Sequence, residues 1–244
     1  MRKIVYSIFI ILACTVPEAT LCKAGEVPPV WYKYAREYVE THARLINEAN
    51  TSNGNVLDLL KGQEAIVKKL EELPSPSVEE LNQLIQSPRL EEREAALATA
   101  FILKLSDAGL VKTILSNYER EQGFLAKFYS HRALGNLTTS QLKVEEEHLF
   151  NILQKEKDES LIIAGMQNVV RLGRGKRTML FVQYMKHGSD GLLRACTVSL
   201  AKLGRPELEG MKARLAKQGA KKATAFLDRY GEATLREVAH QGDK

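Results

Sequence analysis

The chain has 244 residues, of which 44% are hydrophobic and 7% aromatic, and its formal net charge is +5. This length accommodates one large or two small domains, and the hydrophobic fraction is sufficient for a sizeable core. The charge is too small for this length to indicate a nucleic-acid-binding protein, and the abundance of Leu, Ala, Glu and Lys favours helix.

The first residues have the composition of an export signal. Two basic residues at 2–3 are followed by ten uncharged residues, 4–13, which is half the length that a membrane-spanning helix needs. A basic start and a short apolar run before Pro17 are typical of a signal peptide. We therefore expect residues 1–13 to be a signal peptide and the protein to be exported.

Residues 11–14, Ile-Leu-Ala-Cys, resemble the bacterial lipobox, whose cysteine is lipidated and becomes the new N-terminus. The resemblance implies a lipoprotein on the periplasmic side of a bacterial membrane, anchored through Cys14, with residues 14–28 as a tether. Simple cleavage further on, near Ala19 or Ala24, is the alternative.

The other two cysteines, Cys22 and Cys196, are too few for a disulfide framework. Cys196 lies on the apolar stripe of a predicted helix. We therefore expect a buried free thiol, with a Cys22–Cys196 bridge as the alternative.

Residues 29–75 are predicted to form a pair of amphipathic helices. Apolar residues recur at spacings of three and four over 31–45 and again over 56–70. Turn-forming residues at 51–55 separate the two helices, and prolines within 73–77 end the second. The first stripe is rich in aromatic residues: Trp31, Tyr32, Tyr34 and Tyr38. We expect these residues to cap the core, and docking of a partner protein is the alternative.

From residue 76 to residue 240 a helix–turn–helix unit recurs. Superposing 161–175 on 192–206, an offset of 31 residues, gives the same apolar spacing of four, four and three in both segments. Weaker copies lie at 88–118 and 121–155, and 220–240 is predicted to be a degenerate end unit. The aligned positions are Leu161 with Leu192, Gly165 with Cys196, Val169 with Leu200, Leu172 with Leu203, and Gly173 with Gly204.

Each such unit has an apolar face that it cannot cover alone, so its neighbour covers it and the units stack around one core. Val169 and Leu200 are therefore predicted to be inaccessible to solvent. Gly173 and Gly204 each follow a first helix, where a left-handed backbone conformation is expected.

Residues 93–96, Arg-Glu-Ala-Ala, resemble the first-helix signature of HEAT repeats, as do residues 193–195, Leu-Arg-Ala. The turn sequence Leu-Gly-Arg-Pro-Glu at 203–207 resembles the turn of the same family. The resemblance covers roughly 78–218. It implies an all-α protein: a right-handed α-solenoid of about four to five HEAT-like helix pairs, preceded by the N-terminal helical pair. An unrelated helical repeat is the alternative.

The sequence carries no recognisable catalytic or metal-binding motif. No H-E-x-x-H, G-x-S-x-G, P-loop or G-x-G-x-x-G sequence is present, and no two of the five histidines share a helix face by spacing. We therefore predict a protein that is not an enzyme and that uses neither a cofactor nor a metal. An enzyme on a helical-repeat scaffold is the alternative, and a buried ionisable cluster in a groove would favour it.

Charge is distributed unevenly along the chain. Fourteen basic and four acidic residues lie between Arg171 and Arg229, whereas nine acidic and five basic residues lie between Asp58 and Ala100. Basic residues near two aligned turns are predicted to form a ridge that contacts anionic lipid or an acidic protein. A solvated surface is the alternative. The ridge residues are Arg171, Arg174, Lys176, Arg177 and Arg205.

Together these features predict a non-catalytic adaptor or assembly factor at a bacterial envelope membrane, which binds protein partners through a helical-repeat surface. A structural subunit of a larger envelope complex is the alternative. Nucleic acid is not an expected partner, because no aromatic residues alternate with the basic ones.

Overall fold

A computed structural model describes residues 29–51 and 56–242. Within these ranges the chain forms thirteen helices and no strand, which confirms the predicted all-α class. The predicted signal peptide, lipobox and tether lie outside the described residues. The helices are α1 Val30–Thr51, α2 Val56–Glu72, α3 Val78–Ile85, α4 Leu90–Ile102, α5 Ala108–Tyr118, α6 Phe124–Leu134, α7 Thr139–Lys155, α8 Glu159–Ala164, α9 Met166–Arg171, α10 Arg174–His187, α11 Asp190–Leu203, α12 Arg205–Lys217 and α13 Lys221–Gly242.

Several helices begin at residues that satisfy the unpaired backbone N–H groups of the first turn. At α3 the Ser77 side chain accepts from the Glu80 N–H, while the Glu80 carboxylate accepts from the Ser77 N–H. Thr138 and Gln141 form the same reciprocal box at α7. Each such cap contributes about 1 kcal/mol, so these polar residues fix where the helices start.

Contacts between helices order them into two series. The first series runs α4, α6, α8–α9, α11, α13, and the second runs α3, α5, α7, α10, α12, each helix touching the next in its series. We call the turns that lead into first-series helices the entry turns: 86–89, 119–123, 156–158, 188–189 and 218–220. We call the turns that lead out of them the exit turns: 103–107, 135–138, 172–173 and Gly204.

Hydrogen bonds between helices recur at a regular sequence separation. The Tyr184 hydroxyl donates to the Leu153 carbonyl, 31 residues earlier, at 2.6 Å. The Asn136 amide donates to the Phe101 carbonyl, 35 residues earlier, at 3.2 Å. Both separations are close to the 31-residue offset of the predicted repeat.

One continuous core runs from Trp31 in α1 to Leu227 in α13. Val169 and Leu200, which the repeat alignment predicts to be buried, are 0% and 1% exposed. Their burial confirms the predicted register of the two clearest units. Helix α4 is buried along 95–100 because α1, α2, α3 and α6 all contact it.

The N-terminal helices form as predicted, with one error in the stripe of α2. Trp31, Tyr32 and Tyr38 are buried in the core, which confirms the core interpretation of the aromatic stripe. Leu60 belongs to the apolar stripe predicted over 56–70, but it is 44% exposed. The only fully buried positions of that helix are Ile66 and Leu70 in its second half, so its first half leaves apolar residues in contact with solvent.

The prediction of two left-handed glycines is right for Gly204 and wrong for Gly173. Gly204 has a φ of +103°, but Gly173 has a φ of −54° in an extended conformation. At Gly173 the backbone approaches the side chain of Glu146 closely. Its N–H donates to the Glu146 carboxylate at 2.5 Å, and a Cβ there would lie 3.0 Å from the same oxygen.

Cys196 is 0% exposed, which fits the expected buried thiol, and burial raises its pKa. Its proposed alternative partner Cys22 lies outside the described residues. None of the helices in the described ranges combines the length and apolar character needed to cross a membrane.

Candidate binding surfaces at the turns

The five predicted ridge residues all lie at exit turns. Arg171 is the last residue of α9, and Arg205 is the first residue of α12. Arg174, Lys176 and Arg177 occupy the first turn of α10. The structure therefore brings them to two successive exit turns, as the alignment predicts.

Two of the five bind backbone carbonyls, and one of these, Arg177, also lies 3.6 Å from a Glu207 carboxylate oxygen. The Arg171 guanidinium donates to the carbonyl of Gly135 at 2.8 Å and to that of Leu137. The Arg177 guanidinium donates to the carbonyl of Val170 at 3.0 Å. These two side chains satisfy helix-end carbonyls that would otherwise lack a donor.

The other three are ion-paired with acidic residues of a neighbouring unit. Arg174 Nε lies 3.2 Å from a Glu207 carboxylate oxygen, and Lys176 Nζ lies 2.8 Å from Glu147 and 3.5 Å from Glu146. Hydrogen bonding to these glutamates raises the pKa of Lys176.

Arg205 binds Glu232 through both guanidinium Nη atoms. Hydrogen bonding to Arg205 lowers the pKa of the Glu232 carboxyl. Arg174 and Arg205 remain 76% and 60% exposed, yet each already has an acidic partner. The cations of the exit turns are thus already paired with acidic residues of the same chain.

A second group of cations, which the sequence interpretation did not single out, lies at the ends of second-series helices. Each unit has one such pair, in which an exposed basic residue lies two positions after a buried residue. Lys155 contacts Glu119 at 3.7 Å, with the lysine side chain 75% exposed. In the described part of the chain the other three have no acidic partner. The pairs are Tyr118 with Arg120, Leu153 with Lys155, Tyr184 with Lys186, and Leu215 with Lys217.

A buried polar network joins α5, α6 and the turn after α7. The Tyr118 hydroxyl donates to the Glu156 carboxylate at 2.5 Å and lies 2.7 Å from His131 Nε2. Because Tyr118 has one proton, its oxygen accepts from Nε2–H, and Nδ1 of His131 is left unprotonated. Burial lowers the pKa of His131 to about 4, so the ring stays neutral.

Gly165, which lies between α8 and α9, leaves room for this ring. A Cβ at Gly165 would lie 2.9 Å from His131 Nδ1 and 2.9 Å from Leu153 Cδ2. His131 is 0% exposed and neither nitrogen reaches the surface. His131 is therefore sealed inside the stack, whereas its partners in the network, Tyr118 and Glu156, also line an open cleft.

Two open clefts lie beside these elements. One, of about 320 Å³, is lined by residues that include Tyr118, Lys127 and Glu156. The other, of about 500 Å³, lies between α1 and α2 and includes Tyr38 and Val67. Polar and ionisable side chains line most of both clefts.

Over the described ranges, no group of three or more His, Cys, Asp or Glu side chains is arranged to hold a metal ion. Comparison with protein-family models, with curated proteins and with solved structures returns no match. The function is therefore inferred from the arrangement of the helices and the charges at their turns.

Proposed function

We propose that the protein is a non-catalytic adaptor or assembly factor at a bacterial envelope membrane, built as a right-handed α-solenoid of HEAT-like helix pairs. The recurrence of interhelical hydrogen bonds between residues about one unit apart supports the solenoid. An array of this kind exposes long rows of turns, and such rows suit contact with extended partners.

The observation that carries the proposal is the difference between the two rows of turns. At the exit turns, ion pairs within the chain already engage Arg174, Lys176 and Arg205. An acidic partner there would have to displace glutamates that are already bound. Beside the entry turns, Lys186 and Lys217 are exposed, and neither has an acidic partner within the described part of the chain. We therefore assign charge-driven contacts to the entry turns, and we assign partner binding by other contacts to the exposed faces of the helices.

The proposed location depends on lipidation of Cys14, with residues 14–28 as the tether. In cells, the wild-type protein should sediment with membranes, whereas Cys14→Ser should be released or remain unprocessed. A mature N-terminus beyond residue 14, identified by mass spectrometry, would overturn the anchor.

The adaptor role is tested by crosslinking in intact membranes followed by purification under mild detergent. We expect one adduct of defined mass at a fixed stoichiometry, and Leu200→Ala should reduce it because the array is destabilised. A protein that stays monomeric and uncrosslinked throughout would contradict an adaptor or assembly role.

A further inference from the structure

We propose that the entry turns form one edge of the array and that this edge lies against the anionic headgroups of the membrane. This inference rests on the proposed membrane location, and it adds the face and the chemistry of the contact. The cations concerned differ from the predicted ridge residues, which lie at the exit turns.

Contacts link the entry turns one to the next. Arg93 in α4 binds Glu121 through two guanidinium nitrogens, at 2.6 and 3.1 Å. Tyr118 binds Glu156 in the following entry turn, and the Glu159 carboxylate accepts from the Ser189 N–H at 2.9 Å. Lys222 then donates to the carbonyl of Gly188 at 3.0 Å and contacts Asp190 at 3.1 Å. The five turns are therefore neighbours along one line.

The acidic residues of these turns are largely engaged by the chain itself. Glu121 is 3% exposed and is held by Arg93, and its other oxygen accepts from the N–H groups of Gln122 and Gly123. Glu156 accepts in the same way from Lys157 and Asp158. These two carboxylates face inward. Three other acidic residues at or beside the turns are exposed, Glu119, Asp158 and Asp190, but exposed lysines and arginines outnumber them.

The outward cations are spaced one per unit. Helices pack about 10 Å apart, so the row from Arg120 to Lys217 spans about 30 Å over four units. Arg and Lys side chains are long, so cations on separate helices can reach the same flat membrane surface. An acidic protein would need carboxylates matched to this spacing, whereas lipid headgroups diffuse laterally and meet any spacing. This argues for a lipid surface over a protein.

Exposed apolar side chains accompany the cations at the same turns. Leu90 and Phe124, the first residues of α4 and α6, are 40% and 39% exposed. Leu90 lies over the next entry turn, since a Cβ on Gly123 would be 2.3 Å from its Cδ1. Basic and apolar side chains on one exposed surface are typical of proteins that lie in a membrane interface.

The described chain begins with α1, which contacts α4, and α4 begins directly after the entry turn at 86–89. The expected tether at residues 14–28 is joined just before this point. Fifteen extended residues span at most about 50 Å, so an anchor at Cys14 would keep the entry edge near the bilayer.

The test uses the full chain carrying Cys14→Ser, so that no acyl chain contributes, and measures cosedimentation with two kinds of vesicle. One is pure phosphatidylcholine and the other is an equal mixture of phosphatidylcholine and phosphatidylglycerol. The edge variant reverses three entry-turn cations: Arg120→Glu, Lys186→Glu and Lys217→Glu. The matched control reverses three exposed cations away from the entry turns, with the same change in net charge: Lys112→Glu, Lys143→Glu and Lys202→Glu.

We expect binding to the anionic vesicles alone, weakening as salt is raised. Each basic residue at a membrane surface contributes about fivefold, so the edge variant should bind about a hundredfold more weakly. The control should retain most of the binding. A second edge variant with glutamine at the three positions should also lose binding, and it avoids placing acidic residues at helix C-termini.

If the parent protein does not bind anionic vesicles at low salt, the proposed membrane contact is wrong. Equal losses of vesicle binding in the edge and control variants would also contradict it. Binding to polyglutamate but not to vesicles, lost in the edge variant, would replace the lipid with an acidic protein. The proposed function fails separately, because the cell-fractionation result with native Cys14 does not depend on this edge.

Discussion

Substituting Gly165 by alanine tests the packing of two successive units at a single atom. The new Cβ would lie 2.9 Å from both His131 Nδ1 and Leu153 Cδ2, about 0.5 Å closer than ordinary van der Waals contact. Neither neighbour can give way easily. The His131 ring is fully buried and hydrogen-bonded to Tyr118, and Leu153 is 0% exposed.

The magnitude follows from two opposing effects. Overpacking of a core costs about 1–3 kcal/mol, while replacing a helical glycine by alanine stabilises by about 0.5–1 kcal/mol. We therefore expect Gly165→Ala to lower the free energy of unfolding by about 1–2 kcal/mol. Gly210→Ala is the matched control: Gly210 lies within α12, and a Cβ there would have nothing within 4 Å, so this variant should be stabilised.

The assay is urea unfolding followed by circular dichroism, with the midpoint compared among variants. His131→Ala should remove the clash, so that adding Gly165→Ala to it costs little or stabilises. Equal midpoints for Gly165→Ala and Gly210→Ala would refute the reasoning, because the clash with His131 would then not exist.

Three further predictions concern stability and pH. Leu200→Ala should cost about 2–5 kcal/mol in urea unfolding, because Leu200 is 1% exposed. Arg171→Ala should lower the free energy of unfolding by about 1–3 kcal/mol, since two carbonyls lose their donor. Arg174→Ala should change it by less than about 1 kcal/mol. Equal decreases in melting temperature for the two variants would contradict these contacts. Burial, with a smaller effect of Glu121, raises the pKa of Glu94 to about 7 from 4.5, so the folded protein binds an extra proton between those pH values and loses stability as pH rises through them. Glu94→Gln should therefore raise the melting temperature well above pH 7 more than it does near pH 4.5, and a pH-independent difference would show that this carboxyl is not perturbed.

The helical class and the register of the two clearest units could be predicted from the sequence, because apolar spacing directly reports which face of a helix is buried. Helix α3 was not predicted as a separate element. Its signal, Ser77 followed by Glu80 as a capping box, was present in the sequence. The sequence could not show that the Gly173 N–H binds the Glu146 carboxylate, because that contact joins residues 27 positions apart.

The candidate surface was harder to predict for the same reason. The positions of Arg174 and Arg205 at the turns followed from the alignment, but their partners Glu207 and Glu232 lie in other units. Basic composition alone does not distinguish a paired cation from a free one. Lys155, Lys186 and Lys217 are spaced 31 residues apart, which was visible in the sequence. Only the structure shows that each of them lies at the end of a helix.

The stacked arrangement is tested most directly by distances between spin labels at the entry turns. Labels would replace Lys155 and Lys217 in one variant and Arg120 and Lys217 in another, with the cysteines outside the described residues changed to serine. Cys196 is buried and stays unlabelled. At about 10 Å per unit, the account predicts a distance of about 20 Å for the first pair and about 30 Å for the second, measured by pulsed electron paramagnetic resonance. A second distance no longer than the first would contradict the array and, with it, the continuous basic edge.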